Sequence, residues 1–223
     1  MIAIIEKPML MKGELVVQTL DGVKRVTRRL MRIKRSSDCP PELPDDQLHK
    51  EILEWRFQDG QWFGLHEWRT LAVATCPFGE AGDRLWVRET WHANESFDDL
   101  SPAKIGTASI DAGYQVSPKH PACGIWYPAD DSHRQWADGK ETRGKTRTSI
   151  HMPRWACRLT LEVESISIER IQSITERQIR LEGIESRPQF IETWNALNAD
   201  RGGSWWANPW VWVVGYKISE VLQ

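Results

Sequence analysis

The run Trp210-Val-Trp-Val-Val-Gly-Tyr-Lys-Ile218 sets Trp210, Trp212, Val214 and Tyr216 against Val211, Val213 and Lys217. That two-residue period is the signature of a β-strand. The same alternation recurs over Arg158 to Ile168, where Leu159, Leu161 and Val163 share a face, and a further strand is expected over Arg84–Trp91. Helical signals are fewer. Glu14 to Leu20 reads as a short helix, with Gly22 placed to cap its C-terminus. Thr175 and Gln178 have capping-box spacing for a helix that runs to Glu182 and stops at Gly183. Ser186 caps a second helix, with Pro188 in its first turn and Phe190, Trp194 and Leu197 as its apolar stripe. Many strands with few helices predict an α+β domain built on a small β-barrel of about five or six strands with flanking helices.

A single domain over residues 1–223 is expected, with two loop-rich insertions near 36–75 and 93–148. The first opens on Ser36–Lys50, which carries three prolines and several acids, and reads as a surface loop. It also contains a hairpin signal, Asp59-Gly60 between Glu54–Phe57 and Gln61–Phe63. The second is polar and rich in Gly, Pro, Asp and Lys, as an insertion or lid would be. No apolar run approaches the roughly 20 residues needed to cross a bilayer, and Met1–Met11 lacks the features of a signal peptide. The expectation is a cytoplasmic protein with no membrane partner. Cys39, Cys76, Cys123 and Cys157 have no short pairing. A zinc site from Cys39, Cys76, His120 and Cys123 is conceivable, but only His120 and Cys123 are closely spaced, so no metal and no cofactor are expected. Thirteen tryptophans are more than a core needs; most should be core or pocket wall, and a few are available to stack on a planar ligand.

The charge is unevenly placed. Lys24 to Arg35 holds seven basic residues and no acid, in a chain of formal net charge -2. Such a block suits a phosphate-bearing ligand, a carboxylate partner, or a nucleophile that the local field helps to ionise. Thr27 and Arg29 lie two apart and share one face of a strand. Lys24, crowded by Arg25, Arg28 and Arg29, would have a depressed pKa and could act as a base toward the Thr27 hydroxyl if the chain bends between them. A solvated basic strand with an ordinary threonine is the alternative. Glu182, at the negative pole of its helix, calls for a cation. Arg88 and Glu89 point to opposite faces of their strand, so one faces inward, as a structural ion pair or as a substrate contact. Asn208 either offers its amide to a polar ligand edge or closes an Asx turn before Pro209.

Taken together, these pieces resemble the ASCH domain family, whose fold belongs to the PUA-like β-barrels. The resemblance rests on Gly22, Lys24, Thr27 and Arg29; on Gly82-Asp-Arg-Leu-Trp-Val-Arg-Glu89; on Ile174–Gly183; and on the closing strand. Ser149-Ile-His-Met-Pro-Arg-Trp155 and Asn208-Pro-Trp-Val-Trp212 resemble the longer branch found in phages and prophages. Some small members remove the acetyl group from N4-acetylcytidine with a threonine nucleophile, an activating lysine and an assisting glutamate. The resemblance implies those roles for Thr27, Lys24 and Glu182, with Arg29 on the oxyanion. Substrate contacts are then expected from Arg28, Arg88, Glu89, Trp91 and Asn208. Other members are thought to bind RNA or act as nucleases, so a non-catalytic module for RNA, DNA or a modified base, with RNA ahead of DNA, is the rival expectation. This chain is about twice the size of the small enzymes, and residues 93–148 have no counterpart in them.

Overall fold

A computed structural model of the chain describes residues 4–67, 69–111, 125–134 and 142–222. In chain order the elements are β1 (Glu6–Leu10), α1 (Gly13–Leu20), β2 (Val26–Leu30), β3 (Lys34–Arg35), α2 (Asp45–Glu51), β4 (Glu54–Gln58), β5 (Gln61–His66), β6 (Arg69–Ala74) and β7 (Arg84–Arg88). There follow β8 (Trp91–Asn94), α3 (Pro102–Asp111), β9 (Ile125–Tyr127), β10 (Ser132–Arg134), β11 (Arg143–Arg147), β12 (Leu159–Arg170), α4 (Glu176–Leu181), α5 (Arg187–Asn198) and β13 (Trp210–Val221). The class is α+β, as the mixture of alternating and capped segments predicts. Among the described residues the strands form three sheets, none of them closed on itself. Contacts gather into two compact units: residues 1–24, 82–163 and 216–223 form the first, residues 25–81 and 164–215 the second.

In the first unit β1 runs parallel to β7, from Glu6 opposite Arg84 to Leu10 opposite Arg88. The start of β12 pairs antiparallel with β7, Thr160 opposite Trp86, and the end of β13 lies beyond β12. A second sheet has the order β10-β9-β8-β11. It covers a core of its own, built from Trp91, Phe97, Ile105, Ile125, Tyr127 and Met152. Residues 93–148, expected as loop, therefore supply a helix, three strands and five of the eight buried residues of that core. The expected strand Arg84–Trp91 is in fact two strands, because Arg84–Arg88 serve the first sheet and Trp91–Asn94 the second. On the rim of this unit the Arg154 guanidinium donates to both Glu6 oxygens, at 2.9 and 3.4 Å. That hydrogen bond holds the Glu6 carboxyl below its usual range. The folded state thus binds this proton more weakly than the unfolded chain. The stabilisation is complete above the ordinary carboxylate range near about pH 4 and drains away as pH falls through the lowered value. Melting temperature should fall less steeply between pH 5 and pH 3 in Glu6→Gln than in the parent; superimposable slopes would contradict this.

In the second unit the end of β12, the start of β13 and β2 are successive neighbours, with Val211 opposite Leu30, Val213 opposite Arg28 and Val214 opposite Thr27. A second sheet has the order β3-β6-β5-β4. Its β4–β5 hairpin turns on Asp59 and Gly60, both with positive φ (48° and 77°), the geometry a two-residue turn needs. Ser36–Lys50, expected as loop throughout, forms α2 once Pro44 has set its N-cap in extended backbone. Thr175 and Gln178 complete the capping box, and Ser186 accepts from the Gln189 amide. The α4–α5 layer packs Ile171, Ile179, Phe190, Trp194 and Trp205 against Val211 and Val213. Leu197, expected in the apolar stripe of α5, is exposed, and Asn198 is buried in its place, donating to the Trp194 carbonyl at 3.0 Å.

Candidate functional site

Lys24 and Glu182 each lie beside a helix end at which a glycine turns the chain. After α1, Gly22 takes φ 72° and its amide donates to the Thr19 carbonyl at 3.0 Å. The amides of Val23 and Lys24 both donate to the Gln18 carbonyl, at 2.9 and 3.0 Å. This wraps the chain around the helix end and leaves Lys24 in the first unit only 2% exposed. After α4, Gly183 takes φ 77° and leaves Glu182 as the C-cap, 5% exposed.

The second unit contains Thr27, Arg28, Arg29, Glu182 and Asn208. Because β2 is a strand, Thr27 and Arg29 share one face, alongside Trp212 and Val214 of β13, and Arg28 takes the other with Val26 and Leu30. That second face is the one packed on the α4–α5 core. There Arg28 donates to Glu182 Oε1 and to Glu169 Oε2, each at 3.1 Å, with its own side chain 1% exposed. The cation expected for Glu182 is thus supplied at least in part by Arg28. Arg28 itself, expected to touch substrate, bridges two carboxylates in the interior. Thr27 is buried, and its hydroxyl makes no hydrogen bond to any described residue of its own unit. Arg29 is half-buried beside it.

Asn208 is tied to a distant segment rather than to a local Asx turn. It sits at φ 46°, its Oδ1 accepts from the Gln172 amide at 3.1 Å, and its carbonyl accepts from Arg170. Arg170 also lies 4.1 Å over the Trp210 ring and donates to the His49 carbonyl. This cluster joins α2, β12 and β13, and its logic is packing.

The other expected contact residues belong to the first unit and are taken up by its interior. Arg158 donates to both Glu89 oxygens at 2.8 and 2.9 Å, with the Glu89 side chain 1% exposed. This is the structural ion pair that the opposite-face argument allowed. Arg88 donates to the Met152 and Ile150 carbonyls and lies over the Trp86 ring. Trp91 is fully buried, edge-on to Trp155 at 5.7 Å and under Arg147. None of its ring faces is open to a base. The residues that hold this region together, Arg158, Asp130 and Tyr127, carry no sequence signal; Arg158 lies 69 positions from Glu89 and 28 from Asp130.

Cys39, Cys76 and Cys157 are buried and outside any disulfide, and the Cys39 sulfur accepts from Arg35 at 3.2 Å. His120 and Cys123 lie outside the described residues. Among the described residues no cluster of His, Cys, Asp or Glu is arranged to hold a metal, and no helix is long and apolar enough to cross a membrane. No protein-family model, curated protein or solved structure matches the chain.

Proposed function

We propose that this chain hydrolyses the amide of an acylated nucleobase or nucleoside, of the N4-acetylcytidine type, in the cytoplasm and without a cofactor. The reading rests on the ASCH resemblance, which also assigns the fold to the PUA-like β-barrels. The observation that carries it is the division of β2, with Thr27 and Arg29 on one face and Arg28 on the other. A threonine hydroxyl is a weak nucleophile until a base takes its proton. In the proposed reaction Lys24 Nζ takes that proton, and Thr27 Oγ1 forms a bond to the amide carbon. Arg29 holds the oxyanion. Collapse breaks the C–N bond, Glu182 relays the proton that Lys24 took on to the leaving exocyclic amine, and water then attacks the acyl-threonine, giving one proton to Lys24, which returns it to Thr27 Oγ1 as the acid departs.

Turnover of N4-acetylcytidine followed by absorbance is the test. Thr27→Ala should lose about a thousandfold or more in kcat/KM, the usual scale for removing a nucleophile. Equal rates for the parent and the variant, or no turnover by either, would refute the assignment.

One observation favours a second reading, a module that binds RNA, DNA or a modified base without chemistry. Glu182 is engaged by Arg28 on the face of β2 opposite Thr27, which suits an architectural carboxylate better than a mobile proton carrier. Affinity for short RNA, measured by fluorescence anisotropy, should then fall steeply between two salt concentrations. Binding that is absent or indifferent to salt would count against this reading.

A further inference from the structure

The seven-residue basic block divides once its partners are known. Arg28 is spent on Glu169 and Glu182, and Arg35 donates to Cys39 and to the carbonyls of Pro40 and Leu43. Arg32 and Lys34 differ. Both are exposed, and among the described residues neither side chain makes an ion pair or a hydrogen bond. They flank a cavity of about 420 Å³ that lies wholly within the second unit.

The walls of that cavity are chemically uneven. Leu30, Val73 and Pro77 give it an apolar lining, and it reaches down to the buried Trp212. Gln61 and Thr75 add an amide and a hydroxyl. Among the described residues no acidic one lines it. The register explains why the charges sit where they do. Lys34 stands opposite Val73 in the β3–β6 pair, and opposed residues in an antiparallel pair share a face. Two cations at the mouth of an apolar recess, in a chain of net charge -2, describe a receptor for an anion that carries an apolar body. The volume falls within the span of about 300–1,000 Å³ typical of small-molecule pockets, near its lower end. A phosphomonoester carries close to two negative charges at neutral pH, which matches two adjacent cations better than a single carboxylate does.

We infer that this cavity binds a mononucleotide-sized phosphomonoester. Its phosphate lies between Arg32 and Lys34, and its base lies against Val73, Pro77 and Trp212 with its edge toward Gln61 and Thr75. The site uses none of Lys24, Thr27 or Glu182 and does not rest on the hydrolase reading.

Isothermal titration with CMP, cytidine and inorganic phosphate tests it. CMP should bind, and cytidine and phosphate should each bind at least about tenfold more weakly, since each lacks one half of the recognition. The double variant Arg32→Ala/Lys34→Ala should lose about tenfold or more for CMP. Thr75→Trp, which fills the recess and leaves both cations in place, should abolish binding. Thr27→Ala should keep CMP affinity within about twofold, so a failed hydrolase assay leaves this result unaffected. The inference is overturned if CMP binds no better than inorganic phosphate, or if either pocket variant retains the parent's affinity.

Discussion

Arg158→Leu should destabilise the first unit by about 3–5 kcal/mol, the usual consequence of removing one partner from a buried ion pair. The Glu89 carboxylate is 1% exposed and takes two of its hydrogen bonds from this guanidinium. The same guanidinium donates to Asp130 at 2.7 Å and lies 4.3 Å over the Tyr127 ring, so the loss spreads to the β9–β10 turn. Burial alone would raise the Asp130 pKa, but the hydrogen bonds from Arg158 and Ser132 outweigh it and hold the group below its usual range. The stability that Asp130 adds is thus present above that range and lost on acidification, and Arg158→Leu should remove part of that dependence. Thermal and urea unfolding, read by tryptophan fluorescence, provide the measurement. The double variant Glu89→Leu/Arg158→Leu should recover much of the loss, because an apolar pair of similar volume no longer strands a charge. A single variant as stable as the parent would mean that Glu89 is satisfied without Arg158.

Arg28→Met should be nearly as damaging, by about 3 kcal/mol. It leaves Glu182 and Glu169 facing one another without the cation they share, with side chains 6% and 30% exposed. Glu182→Gln in the same background should restore part of the stability, since only one carboxylate then remains. The variant also separates two roles for Arg28. A bridging arginine changes unfolding and leaves the affinity for short RNA within about twofold, whereas a phosphate-contacting arginine lowers affinity and the steepness of its salt dependence. Weakened RNA binding with an unchanged melting temperature would rule out the bridge.

What could be read from the sequence was local. Gly22, the Asp59-Gly60 turn, the Thr175 box and the Ser186 cap are set by backbone geometry within four or five residues, and each is found where the residues indicated. The β2 alternation that puts Thr27 and Arg29 together is legible for the same reason. Residues 93–148 were opaque because β9 and β10 are only three residues long. Their buried Ile125 and Tyr127 find partners as distant as Trp91 and Met152, and no window of sequence displays that core. The split between β7 and β8 is hidden likewise, since it depends on which sheet each half joins. At the candidate site, Arg28 meets Glu182 across 154 positions. Spacing could call for a cation near Glu182 but could not choose among seven.

Both β12 and β13 belong to the first unit over part of their length and to the second over the remainder. On the ribosome this makes synthesis order a constraint. The second unit lacks its strand beside β2 until residues 210–215 emerge, and the first waits still longer, for residues 216–221. Until then the β1–β7–β12 layer, though already synthesised, has its β12 edge still unpaired. Nascent chains stalled before residue 210 should accordingly be protease-sensitive at β2 and β12, and protection of that sheet should arrive as residues 210–221 emerge.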